Sequence, residues 1–217
     1  MRQNYDLIVF DWDGTLMDSE AKIVRCFEQA VADVGLSYPG NAAVRQIIGL
    51  GLKEAIERLL PGTSAKERDQ VAEQYRQHFL HLDTTTMEFF PKVHEGLQQL
   101  ESHGYMMAVA TGKARRGLDR LLKQWDMANR FVATRCADEA FSKPHPKMLE
   151  DLLDQTGVSA ERAIMVGDTT FDMEMARNAG TDRLAVCYGV HAREQLMAYD
   201  PLACLDSFEE VCQWLTK

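Results

Sequence analysis

Leu7-Ile8-Val9-Phe10-Asp11-Trp12-Asp13-Gly14-Thr15-Leu16 decides how the chain is read. Four consecutive apolar residues suit a short strand buried on both faces of a parallel sheet. The run ends in two carboxylates spaced two residues apart, and Gly14 lets the backbone turn sharply beyond them. Carboxylates at the end of a buried strand are costly unless a cation or a proton satisfies them. Ligands of open α/β sheets sit at that end of the strands. The segment therefore reads as a strand that delivers a site.

Four further apolar runs, at residues 106–110, 131–134, 163–166 and 183–187, have the same brevity and composition. Helical stripes separate them. Val93, Leu97 and Leu100 share a face that Gly104 can terminate; Leu118, Leu121, Leu122 and Trp125 form a second, and Met148, Leu149, Leu152 and Leu153 a third, ending at Gly157. Alternating strand and helix predicts an α/β fold with a doubly wound parallel sheet.

Residues 18–86 break the alternation. Ile23, Phe27, Val31 and Val34 lie on one helical face before Gly35, and Leu52, Ile56, Leu59 and Leu60 on another before Pro61. Ser64 and Glu67 have capping-box spacing ahead of Val71, Tyr75, Phe79 and Leu82. A crossover needs only about a dozen residues. The interval is therefore expected to be an all-helical insertion, joined to the sheet unit (residues 1–17 and 87–217) near residues 17–19 and 84–87, where a hinge would lie.

With 46% apolar residues the chain can bury a sizeable core, and its net charge of −9 argues against a duplex-binding module. An anionic ligand would have to meet a local cluster of cations. The five cysteines, Cys26, Cys136, Cys187, Cys204 and Cys212, show no Cys-x-x-Cys spacing, so reduced, mostly buried thiols are expected. The apolar run after the polar opening residues is too short for a signal peptide, and nothing reaches membrane-spanning length, so a cytoplasmic location is expected.

Three other segments carry chemistry. Gly167-Asp168-Thr169-Thr170-Phe171-Asp172 repeats the pattern of strand followed by paired carboxylates. If its strand neighbours the first, three or four carboxylates converge, an oxygen-rich arrangement that suits Mg²⁺. Thr111-Gly112-Lys113 ends the second strand with a hydroxyl and free amides able to bind phosphate oxygens. Lys143, in Ser142-Lys143-Pro144-His145-Pro146, can neutralise both the carboxylates and a phosphoryl group.

These four segments, in this order, resemble the haloacid dehalogenase-like hydrolases over essentially the whole chain. The helical insertion resembles the cap of the phosphoglycolate phosphatase and β-phosphoglucomutase branch. The resemblance implies a Rossmann-like core domain, a helical cap and a Mg²⁺-dependent phosphatase acting on a small phosphorylated metabolite. It implies Asp11 as nucleophile and Asp13 as general acid and base. Asp11, the Asp13 carbonyl and Asp168 would hold Mg²⁺, with Asp172 supporting them, and Thr111, Gly112 and Lys143 would hold the phosphoryl group. Asp13 argues against dehalogenation, because a halide leaving group needs no proton. Gly112 stands where phosphoglycolate phosphatases often carry Asn. Gly167 stands where phosphoglucomutases commonly carry an acid, which favours a phosphatase over a mutase; a binding protein on the same fold is the third reading. No nucleic acid or membrane partner is expected, and monomer and homodimer are both compatible.

Beyond that set, Gly49, Gly51, Lys53 and Arg45 in the insertion and His191 after the fifth strand are candidates for substrate selection. Lys113 is expected to be solvated or at the substrate rim, and His145 and Trp12 to be structural.

Overall fold

In the computed structural model, which describes residues 5–217, the chain forms eight strands. They are β1 (Leu7–Phe10), β2 (Met17–Asp18), β3 (Glu88–Phe89), β4 (Met106–Thr111), β5 (Ala133–Cys136), β6 (Ala163–Gly167), β7 (Asp182–Val186) and β8 (Cys204–Leu205). The helices are α1 (Glu20–Asp33), α2 (Asn41–Arg45), α3 (Leu52–Leu59), α4 (Ala65–Gln77), α5 (Val93–Ser102), α6 (Arg115–Gln124), α7 (Lys147–Thr156), α8 (Thr170–Ala179), α9 (Arg193–Met197) and α10 (Phe208–Thr216).

Six strands make one parallel sheet in the order β5-β4-β1-β6-β7-β8. Phe10 lies opposite Val109 on one side and Val166 on the other, so the carboxyl ends of β1, β4 and β6 are level. The order reverses between β1 and β6, the switch point at which such sheets bind ligands. Apolar side chains cover both faces. Ile8, Phe10, Leu97, Val109, Val166 and Phe208 belong to one layer, and Leu7, Val9, Ala108, Leu149, Met165 and Met175 to the other.

A separate apolar cluster joins α1, α3 and α4 through Phe27, Val31, Ile56, Leu59 and Val71. The capping box forms at α4: Ser64 donates its main-chain N–H to Glu67 Oε2 at 2.7 Å and accepts from Glu67 N at 3.3 Å. Past α4 the helix widens into one π turn, His78–Leu82, which carries Phe79. Chain enters and leaves this cluster through the antiparallel pair β2 and β3, with Met17 opposite Phe89.

Two expectations need correction, and two elements were not foreseen. The third strand is β5, two residues later than the apolar run at 131–134. It is an edge strand carrying Thr134 and Arg135, so an apolar run does not mark it, and Val132 is exposed. The short edge strand β8 and the closing helix α10 had no expectation attached to them. Finally, Cys187 and Cys204 form a disulfide, while Cys26, Cys136 and Cys212 are free and buried. Residue spacing misses that bond because it comes from strand adjacency. β7 and β8 pair side by side, which leaves the two Cα atoms 6.1 Å apart and within bonding range. Among the described residues no helix is long and apolar enough to cross a membrane.

Candidate active site

β1 delivers Asp11 directly to the switch point, where its amide donates to Val166 O at 2.9 Å. The side chain is fully buried. Its Oδ1 accepts from the Trp12 amide at 2.6 Å and lies 2.8 Å from Lys143 Nζ. Its Oδ2 is equally buried and has no hydrogen-bond partner. Such an atom is rare in a folded protein and points to a missing electrophile or cation.

Lys143 reaches in from the loop before α7 and is fully buried between two carboxylates, with Asp172 Oδ1 at 2.6 Å. Asp172 has a second task in capping α8. Its Oδ2 accepts from the amide and hydroxyl of Thr169, and the Thr169 hydroxyl accepts from the Asp172 amide. Asp168 is held by the Thr15 hydroxyl at 2.7 Å and the Val190 amide at 2.9 Å. Two glycines allow this crowding. A Cβ at Gly14, whose φ is +81°, would stand 2.1 Å from Asp168 Oδ2, and one at Gly167 would stand 2.4 Å from Asp172 Cβ. Position 167 therefore has no room for an acidic side chain in this chain.

Asp11, Asp168 and Asp172 can each offer an oxygen within 4.8 Å of the others. Three buried carboxylates face one ammonium, so the cluster carries an excess of negative charge when ionised. Burial raises the Asp168 carboxyl to about 7, with Asp172 adding to the effect. Burial also lifts Asp11 well above the ordinary carboxylate range, against the opposing pull of Lys143. Burial opposes charge on Lys143 as well, but Asp11 and Asp172 outweigh it and hold the ammonium above its ordinary value. Hard oxygen ligands, excess charge and an unpartnered oxygen all fit a small divalent cation.

Asp13 stands outside this trio. The turn after β1 points it toward the helical cluster, where the Ser19 hydroxyl donates to Oδ1 at 2.5 Å. Lys113 Nζ spans both carboxylate oxygens at 2.8 and 2.9 Å. Of the two expectations for Lys113, solvated or at the substrate rim, the first is corrected, and the residue borders the cavity described below. The side chain is only 7% exposed and lies 4.8 Å above the Phe79 ring. Thr111 is buried, and its hydroxyl accepts from the Lys113 amide at 3.2 Å.

Gly112 faces the loop before α3. A Cβ there would lie 2.5 Å from Gly49 O and 2.6 Å from Leu50 O. The Gly51 amide donates to Ser142 Oγ at 2.8 Å, beside Lys143. Asp13, Gly49, Gly112 and Lys113 all border a cavity of about 390 Å³ under the helices.

Arg45 and Lys53 do not line that cavity. Arg45 is turned to Glu20 at 2.5 Å and Lys53 is exposed on α3. His191 is buried behind the site, where Nδ1 accepts from the Thr170 amide at 3.0 Å, and burial lowers its pKa. His145 Nδ1 accepts from the Lys147 amide at 3.2 Å. Trp12 is buried between Phe89 and Phe131. Sequence reading gave no role to Ser19 or Thr15. Ser19 reaches Asp13 only because the chain folds back at β2, which no local pattern signals. Thr169 and Asp172 do carry a legible sign, the three-residue spacing of a capping box.

Sheet order and the carboxylates gathered at its switch point define a doubly wound α/β protein with an acidic strand-end site. The chain belongs to the haloacid dehalogenase-like hydrolases, whose sequence profile matches residues 8–186. It is 37% identical over 209 residues to "Probable phosphatase IndB" of Dickeya dadantii (strain 3937), covering 94% of this chain and 91% of that protein. It is 31% identical over 209 residues to a phosphoglycolate phosphatase of Yersinia pseudotuberculosis serotype I (strain IP32953), covering 94% and 90%. A haloacid dehalogenase-like hydrolase from Streptococcus pneumoniae shares the fold with a TM-score of 0.85 and 24% identity, covering 98% of this chain and 99% of that one.

Proposed function

We propose that the chain is a Mg²⁺-dependent phosphatase that hydrolyses a small phosphate monoester through a phosphorylated Asp11. One observation carries the reading: the buried Asp11 Oδ2 has no partner, while Oδ1 is fixed by Trp12 N and Lys143. A carboxylate gripped at one oxygen and open at the other is a positioned nucleophile. Oδ2 attacks phosphorus, the bond to the ester oxygen breaks, and Asp13 gives that oxygen its proton. Water then attacks the aspartyl-phosphate with Asp13 as base, which releases inorganic phosphate and restores Asp11. Lys143, the Thr111 hydroxyl and the Gly112 amide oppose charge on the transferring oxygens. Lys113 balances Asp13 when it is ionised.

Asp11, the Asp13 carbonyl and Asp168 would hold Mg²⁺, with Asp172 fixing Lys143 beside them. When bound, the cation neutralises the approaching dianion and the carboxylates around it. Residues 18–86 act as a cap domain over the sheet domain, closing the cavity to bulk water. The steric block at Gly167 supports hydrolysis over a mutase that carries an acid there.

The test is phosphate release from a panel of phosphate esters with Mg²⁺ or EDTA, for the native chain and Asp11→Asn. Release that needs Mg²⁺ and disappears in the variant is expected. Equal turnover by Asp11→Asn would remove the nucleophile from the reading.

A further inference from the structure

The cavity beside Asp13 is where a leaving group would sit, and its walls are unlike the strand ends beneath it. Ile23, Phe27, Ile48, Leu52, Tyr75 and Phe79 form an apolar side of it. Three of them form an aromatic wall, with Phe27 and Tyr75 centroids 4.4 Å apart and Tyr75 and Phe79 5.7 Å apart. Several polar side chains at the border already have partners. Glu73 is taken by Gln77 at 2.9 Å and Arg76 at 3.5 Å, Asp138 by the Arg115 amide at 2.8 Å, and Lys113 by Asp13. The insertion cations Arg45 and Lys53 lie elsewhere, and His81 and Arg116 border the cavity from exposed, solvated positions. A carboxylated or polyhydroxylated leaving group would have to shed water against the aromatic side, which costs free energy. An apolar group would gain by the same transfer. The Tyr75 hydroxyl has no hydrogen-bond partner among the described residues, which leaves one polar contact free.

We infer that, granted the phosphatase reading on which this rests, the preferred substrate is a phosphate monoester of an alcohol with a compact apolar body. The body is the size of one ring or a short branched chain, since 390 Å³ lies at the small end of ligand pockets. The aromatic wall supplies the recognition, and the close approach of the Gly49 and Leu50 carbonyls leaves no room for a side chain at position 112.

The experiment compares kcat/KM of the Mg²⁺-loaded native chain for five esters. They are 2-phenylethyl phosphate, 3-methylbutyl phosphate, methyl phosphate, 2-phosphoglycolate and ribose 5-phosphate, with p-nitrophenyl phosphate as an activated reporter of the chemistry. The first two are expected to exceed 2-phosphoglycolate and ribose 5-phosphate by about tenfold or more, the scale on which apolar pockets discriminate. Phe79→Ala should reduce the preference for 2-phenylethyl over methyl phosphate by about tenfold. Superior turnover of 2-phosphoglycolate or ribose 5-phosphate overturns the inference while leaving the phosphatase reading intact, as does an unchanged preference in Phe79→Ala. No release from any ester, p-nitrophenyl phosphate included, overturns both.

Discussion

The two lysines nearest the reactive carboxylates show how differently the two halves of the site are built. Lys143 is sealed between Asp11, at the end of β1, and Asp172, in the first turn of α8. Lys113 faces Asp13 from the other side, against the Phe79 ring and the cavity. The first serves a fixed charge balance that any phosphate ester would meet. The second stands where the sheet ends and the helical cluster begins, so its surroundings depend on how the helices sit. On the proposed reading, chemistry is written into the sheet and selectivity into the helices.

The severest challenge to that division is Asp11→Asn. An amide cannot attack phosphorus, so Pi release should fall by about 10⁴-fold or more for every ester alike, as loss of a nucleophile does in other enzymes. Loss for some esters and not others would place specificity in the sheet.

Lys143→Met sharpens the comparison through stability. It strands two buried carboxylates, and breaking such a pair costs about 3–5 kcal/mol. Lys113→Met leaves Asp13 its Ser19 hydrogen bond and an open cavity, so it should cost about 2 kcal/mol or less. Thermal unfolding with EDTA present would measure both, and equal losses would erase the distinction drawn between the lysines.

The carboxylate cluster should also reveal itself through pH. Asp168 titrates near its ordinary 3.8 in the unfolded chain but at about 7 when folded, because burial disfavours its charge. The folded state therefore holds its proton more tightly, and stability of the metal-free protein falls as pH rises from about 4 through 7. Mg²⁺ binds the ionised cluster, so its stabilisation should grow over the same window. Near pH 8 it should approach about 2.7 kcal/mol at a hundredfold excess over Kd. Melting curves at pH 5 and pH 8 with Mg²⁺ or EDTA decide it. A shift independent of pH would mean that the cation binds elsewhere.

The same division explains what could be read from residues alone. β1 and β6 are central strands buried on both faces, so their apolar runs fix both the strands and the aspartates after them. β5 is an edge strand freed from that requirement, and its Thr134 and Arg135 hide it. In the helical cluster the apolar stripes gave α1, α3 and α4. They said nothing of which side chains meet Asp13, because that depends on how helices stack rather than on spacing. Arg45 and Lys53 were attractive as cations and lie outside the cavity, whereas Phe79 and Tyr75 were taken only as core residues and line it.

Gly112 joins the two halves, and its substitution should give the smallest effect on activity. Its amide belongs to the proposed phosphate site, while its missing side chain makes space for the carbonyls of Gly49 and Leu50. These are backbone atoms, so Gly112→Ala cannot be absorbed by a rotamer change and must lift the loop. The expected result is a fall of about tenfold in kcat/KM, close to 1.4 kcal/mol, carried by KM for the larger esters. Lifting the loop should also cost about 1–3 kcal/mol of stability. An equal fall in kcat for methyl phosphate would mean that the loop positions the phosphoryl group itself, and the boundary between chemistry and selectivity would have to be redrawn through the insertion.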